Sequence, residues 1–342
     1  MTLLLAIESS CDETAVCIMD ETGHVHAHTL YSQVATHAPY GGVVPELAAR
    51  AHIDHLETLV TQALKDAGVT LKDIDIFAAT TMPGLMGGLI VGASFAKTLA
   101  MVHQKRFLAV HHLQAHALSV RWEHPVAFPY LLLLVSGGHC QLIRVSGLDD
   151  SQLLGETLDD AAGEAFDKAA RLLSLGFPGG PVLERAAAQG DPKRYPFEIP
   201  LKSHKTGFAF SFSGLKTALA QRLAGWAGDL SDQDRFDLAA SFQDAIASHL
   251  TRVCQRALSL EKETKTLVVA GGVAANKILR ARLKTMVEQH EGSFIAPRSD
   301  ICTDNAIMIA WAAWERLRGD PLASDPLTSP LKPKADFVKP VL

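Results

Sequence analysis

The chain has 342 residues, of which 48% are hydrophobic and 20% charged, and its formal net charge is −5. This length suffices for two domains of ordinary size, and the composition excludes a disordered chain. The negative balance argues against a protein that coats nucleic acid without specificity, although it allows a local basic patch.

The cysteines and the N-terminus indicate a cellular compartment. The five cysteines form no C-x-x-C pair, which is typical of a reduced protein without a disulfide framework. Met1 leads directly into an apolar strand with no basic segment before it, which predicts no signal peptide. No uninterrupted apolar run approaches the ~18 residues that a membrane helix needs. We therefore expect a cytoplasmic protein that does not contact a membrane.

The chain opens with a predicted hairpin. Leu3–Ile7 is an apolar strand, a turn of small and polar residues follows, and Ala15–Met19 is the returning strand. The turn contains two adjacent carboxylates, Asp12 and Glu13. An apolar strand that enters a polar turn of small residues suits the binding of a ligand at the end of a sheet.

The rest of the first half alternates predicted strands and helices. In chain order these are a strand at Val25–Ser32, a helix at Glu46–Ala67 closed by Gly68, a strand at Ile74–Thr80, a glycine-rich loop at Pro83–Gly88, a helix at Gly92–Val102, a strand at Arg106–Val110 and a helix at His111–Arg121. The Pro-containing stretch Glu123–Pro129 is typical of a linker.

After the linker the hairpin pattern returns. Tyr130–Val135 is a continuous apolar run that ends in the turn Ser136–His139, and Gln141–Val145 returns. Glycine tolerates positive φ and lets its N–H groups point at an anion, so this turn is a candidate phosphate cradle. Because a strand, a polar turn and a returning strand occur twice, the sequence predicts two related halves.

The second half continues as a mixed α/β pattern. Its predicted elements are a helix at Thr157–Leu175 with one acidic face, an irregular and locally basic stretch over 192–212, helices at Leu215–Ala227 and Gln233–Leu260, a strand at Thr266–Ala270, a basic helix after Asn276, and a last helix ending at Arg318 whose N-cap is Thr303 or Asp304. Five prolines after residue 320 predict an extended tail. Alternating strands and helices in both halves imply an α/β protein.

Two histidines form the sharpest local pattern. On a helix His112 and His116 lie four residues apart, so both imidazoles face the same side, as in helical metal sites. Two imidazoles with one oxygen donor suit Fe(2+) or Zn(2+). The pattern first suggests a metallopeptidase. However, the intervening residues Leu113, Gln114 and Ala115 include no general base. A metallopeptidase of this type needs a glutamate there to activate water, so the hypothesis lacks its catalytic base.

Many motifs in order resemble those of one family. The runs IESSCDET, YGGVVPELAAR, MPGLMGGLIVG, HHLQAH, LLVSGGH, GETLDDAAGEAFDKAARLL, FPGGP, FSFSGLK, AGGVAAN and CTDNAIMIA are similar to those of the bacterial tRNA N6-adenosine threonylcarbamoyltransferases, the TsaD family. The resemblance covers Leu3 to about Arg318. Members were once described as O-sialoglycoprotein endopeptidases, which matches the metallopeptidase hypothesis suggested by the histidine spacing.

The resemblance implies a two-lobed actin/sugar-kinase/Hsp70-like (ASKHA) α/β fold with an active-site cleft between the lobes. We expect residues 1–122 to form the N-terminal lobe, 130–320 the C-terminal lobe with a helical insertion, and 321–342 an extended C-terminal tail. The two imidazoles come from the front half of the chain and the third ligand from the back half, so one ion is expected to join the halves across a groove.

The resemblance also implies a reaction. The threonylcarbamoyl group passes from threonylcarbamoyl-AMP to N6 of adenosine 37, in the anticodon loop of tRNAs that read codons beginning with A, and AMP leaves. The implied cofactor is one divalent metal ion per subunit, Fe(2+) with Zn(2+) as the alternative. The implied protein partners are a TsaB-like paralogue and a TsaE-like ATPase.

Site residues follow from the matching motif positions. The implied metal ligands are His112, His116 and Asp304. The implied substrate-binding residues are Leu134, Val135, Ser136, Gly137, Gly138, Asp167, Gly180 and Asn276, and the implied catalytic residues are Asp12 and Glu13. Some relatives have an aspartate after the G-G-P turn that contacts the ribose; this chain has Glu184 there, which puts that contact in doubt. The alternatives are an ATP-binding regulatory or chaperone-like module of the same fold and, more distantly, a metallopeptidase.

Overall fold

A computed structural model describes residues 1–202, 207–298, 301–335 and 338–340 of the chain. Its strands are β1 (Leu3–Glu8), β2 (Glu13–Asp20), β3 (Val25–Ser32), β4 (Ile76–Met82), β5 (Arg106–His111), β6 (Tyr130–Val135), β7 (Cys140–Val145), β8 (Ser151–Glu156), β9 (Thr266–Ala270), β10 (Ser293–Ile295) and β11 (Lys339–Pro340). Its helices are α1 (Val34–His37), α2 (Pro45–Ala67), α3 (Met86–His103), α4 (His112–Glu123), α5 (Ala162–Leu172), α6 (Gly179–Ala187), α7 (Ser213–Ala224), α8 (Asp232–Leu260), α9 (Lys277–Gln289) and α10 (Ala306–Gly319), with short 3-10 turns at Ala38–Tyr40 and Gly272–Ala275.

The chain divides into two compact units, each with its own sheet. Unit 1 comprises residues 1–125 and 303–337, and unit 2 comprises residues 126–302 and 338–342. The sheet of unit 1 has the strand order β3-β2-β1-β4-β5, in which β1 pairs antiparallel with β2 and parallel with β4. All six residues of β1 are buried, which explains its continuous apolar run up to Ile7.

Unit 2 repeats this strand order. Its sheet runs β10-β9-β6-β7-β8-β11, so β6, β7, β8, β9 and β10 take the places that β1, β2, β3, β4 and β5 take in unit 1. Strand β6 pairs antiparallel with β7 and parallel with β9, as β1 does with β2 and β4. The repeat expected from the two hairpins is therefore confirmed, and the short strand β11 adds an edge that unit 1 lacks among the described residues.

The end of the chain divides differently from the expectation. Residues 303–337 belong to unit 1, so the boundaries of 130–320 for the second lobe and 321–342 for a separate tail do not match the division. The cause is long-range packing: α10, almost wholly buried, packs against α4, β1 and β2. The following segment is anchored to the same unit, where the Asp325 carboxylate accepts a hydrogen bond from Ala109 N at 2.8 Å and pairs with Arg316.

Several expected element boundaries were wrong. Helix α5 begins at Ala162 instead of Thr157, and β8 and α6 occupy stretches that carried no predicted element. Helix α3 begins at Met86, within the predicted glycine-rich loop. His111 ends β5 and does not begin a helix. The N-cap of α10 is Asn305, whose side chain accepts from Met308 N at 3.0 Å.

The end of α2 was predicted correctly, whereas the length of the apolar helix α3 was not. Gly68 closes α2 in the left-handed conformation at φ 67°, as predicted. Among the described residues one helix, α3, is long and apolar enough to cross a membrane, contrary to the expectation that no stretch approaches that length. The core helix of a soluble protein passes the same test, and α3 packs on β4 and α2. Residues 203–206 of the irregular basic stretch lie outside the described residues.

Candidate functional site

Unit 1 brings the three predicted metal ligands together. His112 Nε2 lies 3.4 Å and His116 Nε2 3.0 Å from Asp304 Oδ1. The imidazole rings are edge-to-face with centroids 4.7 Å apart, and the ligand atoms of all three residues lie within 4.8 Å of one another. Although Asp304 comes from the back half of the sequence, it belongs to the same unit as both histidines. The expected ion would therefore be held by one unit alone.

The local sequence explains this convergence. Helix α4 begins immediately after β5, which places His112 in its first turn and His116 one turn later. Asp304 precedes the N-cap of α10, where Asn305 also donates from Nδ2 to Thr303 O at 2.8 Å. Because α10 packs beside α4, the residue before its first turn lies at the histidines. Both histidines are nearly or fully buried.

The donor set and the two separations from Asp304 fit a divalent ion. Two ligands at ~2.1 Å from a shared ion are separated by about 3.0–3.4 Å in octahedral or tetrahedral geometry. The measured separations of the imidazole nitrogens from Asp304 Oδ1 are 3.0 and 3.4 Å. Two nitrogens and one carboxylate oxygen suit Fe(2+) or Zn(2+) and leave positions open for a substrate.

Neighbouring charges set the ionisation of the cluster. Burial opposes a positive charge on His112, but Asp304 and Glu8 outweigh it and hold the pKa of His112 well above its usual value. Burial would raise the pKa of Asp304, but the neighbouring imidazoles hold it far below the usual range. The cluster is therefore an ionised carboxylate facing imidazoles, a group of charges that a bound cation would reorganise.

The acidic turn of the first hairpin lies in the same unit. Burial, with Asp12 and Asp304 nearby, raises the pKa of Glu13 to about 9. Glu13 Oε1 accepts a hydrogen bond from Ser32 Oγ at 3.1 Å, and Asp12 O accepts one from Gln33 N at 3.0 Å. A carboxyl whose pKa is raised in this way keeps its proton to a higher pH than a free glutamate and can then donate a hydrogen bond.

Sequence reasoning missed Glu8, which lies behind His112. Its carboxylate is fully buried and lies 3.2 Å from His112 Nδ1. Ser10 Oγ lies 3.1 Å from the same nitrogen. A signal was available, because a carboxylate at the end of an otherwise wholly apolar strand is rarely buried without partners.

The glycine-rich turn of unit 2 is open on one side. Leu134 and Val135 are fully buried at the end of β6. Ser136 then closes the turn, donating from N to His139 O at 2.8 Å and accepting from His139 N on Oγ at 3.1 Å. A Cβ built on Gly137 or Gly138 would meet no atom within 4 Å, so this side of the turn is open.

Three other glycines let neighbouring backbone approach closely. A Cβ on Gly163 would lie 2.6 Å from Ser136 O, and one on Gly271 would lie 2.4 Å from Val135 O. A Cβ on Gly179 would lie 2.3 Å from the Cα of Asp167. Gly271 has φ 92°, which also favours glycine. Helix α5, the turn before α9 and α6 therefore pack directly against the predicted binding residues.

The remaining predicted binding residues are held by hydrogen bonds within unit 2. Asp167 Oδ1 accepts from Gly179 N at 2.8 Å, next to Gly180, whose Cβ position is open. Asn276 is the N-cap of α9, accepting from Leu279 N and donating to a glutamine of α8. Glu184 Oε1 accepts from Lys277 N at 2.7 Å. Glu184 thus has a structural partner at the start of α9, which gives it a role other than contacting a ribose.

Known proteins of similar sequence share one name. The family model described as tRNA N6-adenosine threonylcarbamoyltransferase (TsaD) matches residues 24–311. The tRNA N6-adenosine threonylcarbamoyltransferase of Brucella anthropi is 54% identical over 323 residues, which are 92% of this chain and 89% of that protein. The protein of the same name from Rhodospirillum rubrum is 52% identical over 325 residues, 92% and 90% of the two chains.

Solved structures establish the fold. Component A of the Acidaminococcus fermentans (R)-2-hydroxyglutaryl-CoA dehydratase has a TM-score of 0.54 at 17% identity and covers 93% of this chain and 98% of its own. Full-length HypF, in a phosphate- and nucleotide-bound form, has a TM-score of 0.62 at 13% identity and covers 94% of this chain and 56% of its own. The fold is accordingly of the two-lobed actin/sugar-kinase/Hsp70-like type, and the family match over most of the sequence shows that this chain belongs to the tRNA N6-adenosine threonylcarbamoyltransferases.

Proposed function

We propose that this chain transfers the threonylcarbamoyl group of threonylcarbamoyl-AMP to N6 of adenosine 37 in tRNAs that read codons beginning with A, with release of AMP. The observation that carries the proposal is the 54% identity to the Brucella anthropi enzyme across 92% of the chain. The chain is a transferase that acts on tRNA. The geometry described above supports the assignment of roles to individual residues.

The turn Ser136–Gly138 is proposed to bind the phosphate side of the donor. Its open face and glycine backbone suit N–H groups that point at phosphate or at a developing oxyanion. Asp167 and Gly180 are proposed to bind the nucleoside side, where Asp167 would accept a hydrogen bond from a hydroxyl. Leu134 and Val135 fix the start of the turn, and Asn276 fixes the adjacent start of α9.

His112, His116 and Asp304 are proposed to hold one divalent ion, Fe(2+) with Zn(2+) as the alternative. Such an ion, when bound, supplies positive charge that stabilises an anionic leaving group. The three residues provide the nitrogen and oxygen donors, and the burial of both histidines limits competition from water. The metal is the part of the assignment that the chemistry of the donor set supports most directly.

The nucleophile is the exocyclic amine of adenine, which is weak, so positioning should supply much of the rate. An unpaired anticodon-loop base can be presented without opening a duplex. Asp12 and Glu13 are proposed to lie at the reacting centre. Because burial and the neighbouring carboxylates raise the pKa of Glu13, its proposed role is that of a hydrogen-bond donor in the protonated form.

Protein partners are proposed for tRNA binding. A net charge of −5 gives this chain little general attraction for tRNA, so a TsaB-like paralogue and a TsaE-like ATPase would assist it in the cytoplasm. Ile53 of α2 and Ile90 of α3, 64% and 48% exposed, are proposed to contact the TsaB-like paralogue. They lie one helical turn beyond the close approach of Ala49 and Gly87.

Incubation with threonylcarbamoyl-AMP and unmodified tRNA tests the proposed reaction. AMP release coupled one-to-one to modified adenosine 37 is the expected result. ATP hydrolysis that tRNA does not affect would instead support a regulatory or chaperone-like module. Chelator-sensitive cleavage of a protein substrate would support a metallopeptidase. Either of those two results, without transfer to tRNA, contradicts the proposal.

A further inference from the structure

We propose that Glu8 is a positioning residue for the metal centre: it holds a proton on His112 Nδ1 and so keeps His112 Nε2 available as a metal ligand. This inference rests on the proposed metal site formed by His112, His116 and Asp304. It adds a fourth residue that would not touch the ion.

Glu8 is the last residue of β1 and is fully buried. Its Oε1 accepts a hydrogen bond from Ser10 N at 2.6 Å, and its Oε2 accepts one from Thr80 Oγ1 at 2.5 Å. Oε2 also lies 3.2 Å from His112 Nδ1. A buried carboxylate with three partners has a fixed orientation, and all three partners meet it as donors if His112 carries its proton on Nδ1.

The carboxylate determines the state of the imidazole. An ionised carboxylate can only accept, so the His112 nitrogen that faces it must carry hydrogen. That assigns hydrogen to Nδ1 and leaves Nε2, 3.4 Å from Asp304 Oδ1, as the nitrogen that would give up its proton when an ion binds. Carboxylate–histidine–metal arrangements fix ring orientation and raise ligand basicity in this way.

The two histidines differ in this respect. His116 Nδ1 is buried and, among the residues that the structure describes, has no hydrogen-bond partner. Only His112 therefore has a residue that selects its tautomer. The loss of Glu8 should weaken the contribution of His112 while the other two ligands keep their geometry.

Glutamine at position 8 separates this role from simple packing, because its shape is that of glutamate. If the amide N faced Ser10 N, two donors would meet. If it faced His112 Nδ1, the ring would have to accept there and carry its proton on Nε2, where the ion should bind. In the first orientation the amide oxygen still accepts from His112 Nδ1, but a neutral amide is a weaker acceptor than a carboxylate. The second orientation disfavours the proposed state of His112 outright, and the volume is unchanged in both.

The experiment is a titration of metal-free full-length protein with Co(2+), followed by its visible absorption, which reports coordination independently of activity. Glu8→Gln is expected to bind Co(2+) about 10- to 100-fold more weakly than wild type. Asp20→Asn is the matched control. Asp20 is another buried carboxylate of unit 1 that pairs with a histidine, His26, at 2.9 Å, away from the cluster. It should bind Co(2+) as wild type does.

The outcomes separate the two proposals. Wild-type affinity in Glu8→Gln, with affinity lost in His112→Ala, would overturn the role of Glu8 and leave the metal site standing. Wild-type affinity in His112→Ala would overturn the metal site and this inference with it. An equal loss of Co(2+) affinity in Glu8→Gln and Asp20→Asn would mean that removing any buried carboxylate of unit 1 perturbs the fold. That result would also overturn the inference.

A second measurement needs no substitution of Glu8. In Zn(2+)-loaded wild-type protein with 15N-labelled histidine, the inference predicts that His112 is protonated on Nδ1 and bound through Nε2. The resonance is assigned by its loss in His112→Gln. Protonation on Nε2, or binding through Nδ1, would overturn the inference even if Glu8→Gln did not fold.

Discussion

Replacing Gly163 by alanine would displace the turn that is proposed to bind the donor. The new Cβ would lie 2.6 Å from Ser136 O and 2.8 Å from Gly137 Cα, both backbone atoms that cannot rotate away. To reach the 3.0–3.4 Å of the tightest real contacts, the turn and α5 must separate by roughly 0.4–0.8 Å. That movement also strains the hydrogen bond from Gly163 N to Ser136 O, now 3.1 Å.

The size of the effect follows from this displacement. Overpacking of this kind costs about 1–3 kcal/mol in the free energy of unfolding. A misplacement approaching 1 Å lowers the rate by about 100-fold, so we expect kcat/KM for threonylcarbamoyl-AMP to fall by about 10- to 100-fold. Metal binding should not change, because the metal ligands belong to unit 1 and Gly163 to unit 2.

The assay is the initial rate of tRNA modification at saturating tRNA with varied donor, alongside urea unfolding. Gly214→Ala is the matched control: Gly214 is also the second residue of a helix, α7, but its Cβ would meet no atom within 4 Å. It should keep wild-type kcat/KM and gain about 0.5–1 kcal/mol of stability. Wild-type kcat/KM in Gly163→Ala would refute the role given to this turn.

Three further predictions concern stability. Burial, aided by nearby arginines, lowers the pKa of His249 to about 4, so the folded protein favours its neutral form and loses stability as pH falls from about 6.5 toward 4. In urea unfolding, His249→Gln should reduce the loss of unfolding free energy between pH 7 and 4.5 by about 2 kcal/mol. A pH profile equal to that of the wild type would contradict this prediction. Asp159 accepts four hydrogen bonds from residues at the start of α7, so Asp159→Ala should cost about 1–2 kcal/mol, and a stability equal to wild type would exclude a capping role. Asp325 accepts from Ala109 N, so Asp325→Ala should increase hydrogen exchange of that amide about tenfold or more; undiminished protection would show that the bond contributes little.

Two parts of the candidate site could be predicted from local patterns, whereas its other residues were implied by the family resemblance. The spacing of His112 and His116 places both rings on one face of any helix, and an apolar strand followed by Ser136-Gly137-Gly138 indicates an open turn. The repeat of two hairpins predicted two sheets of related topology, which the matching strand orders confirm. These inferences need only periodicity and the conformational freedom of glycine.

The errors arose where tertiary contacts override local propensity. Thr157–Ala161 reads as the start of a helix, but Asp159 instead binds the start of α7 and Thr157 N donates to Cys140 O. Gly87 and Gly88 suggested a loop, yet both lie in α3. Position 88 needs glycine because a Cβ there would meet Ser9 O at 2.1 Å. Glycine there permits close packing of a helix.

The placement of Asp304 could not be predicted for a similar reason. Its position late in the sequence suggested that it belongs to the second lobe, but the burial of α10 against α4 and the first sheet returns it to unit 1. Packing partners so distant in sequence leave no local signal. Glu8 was overlooked because its partners, Thr80 and His112, are also distant along the chain.

The most direct test of the account measures bound metal and tRNA modification on the same samples of wild type and Asp304→Ala. We predict about one divalent ion per chain and active transfer for the wild type. The variant should lose both, because two imidazoles alone are a weaker donor set. Full transfer by Asp304→Ala without a bound ion would contradict the central claim that these three residues hold a metal that the reaction needs.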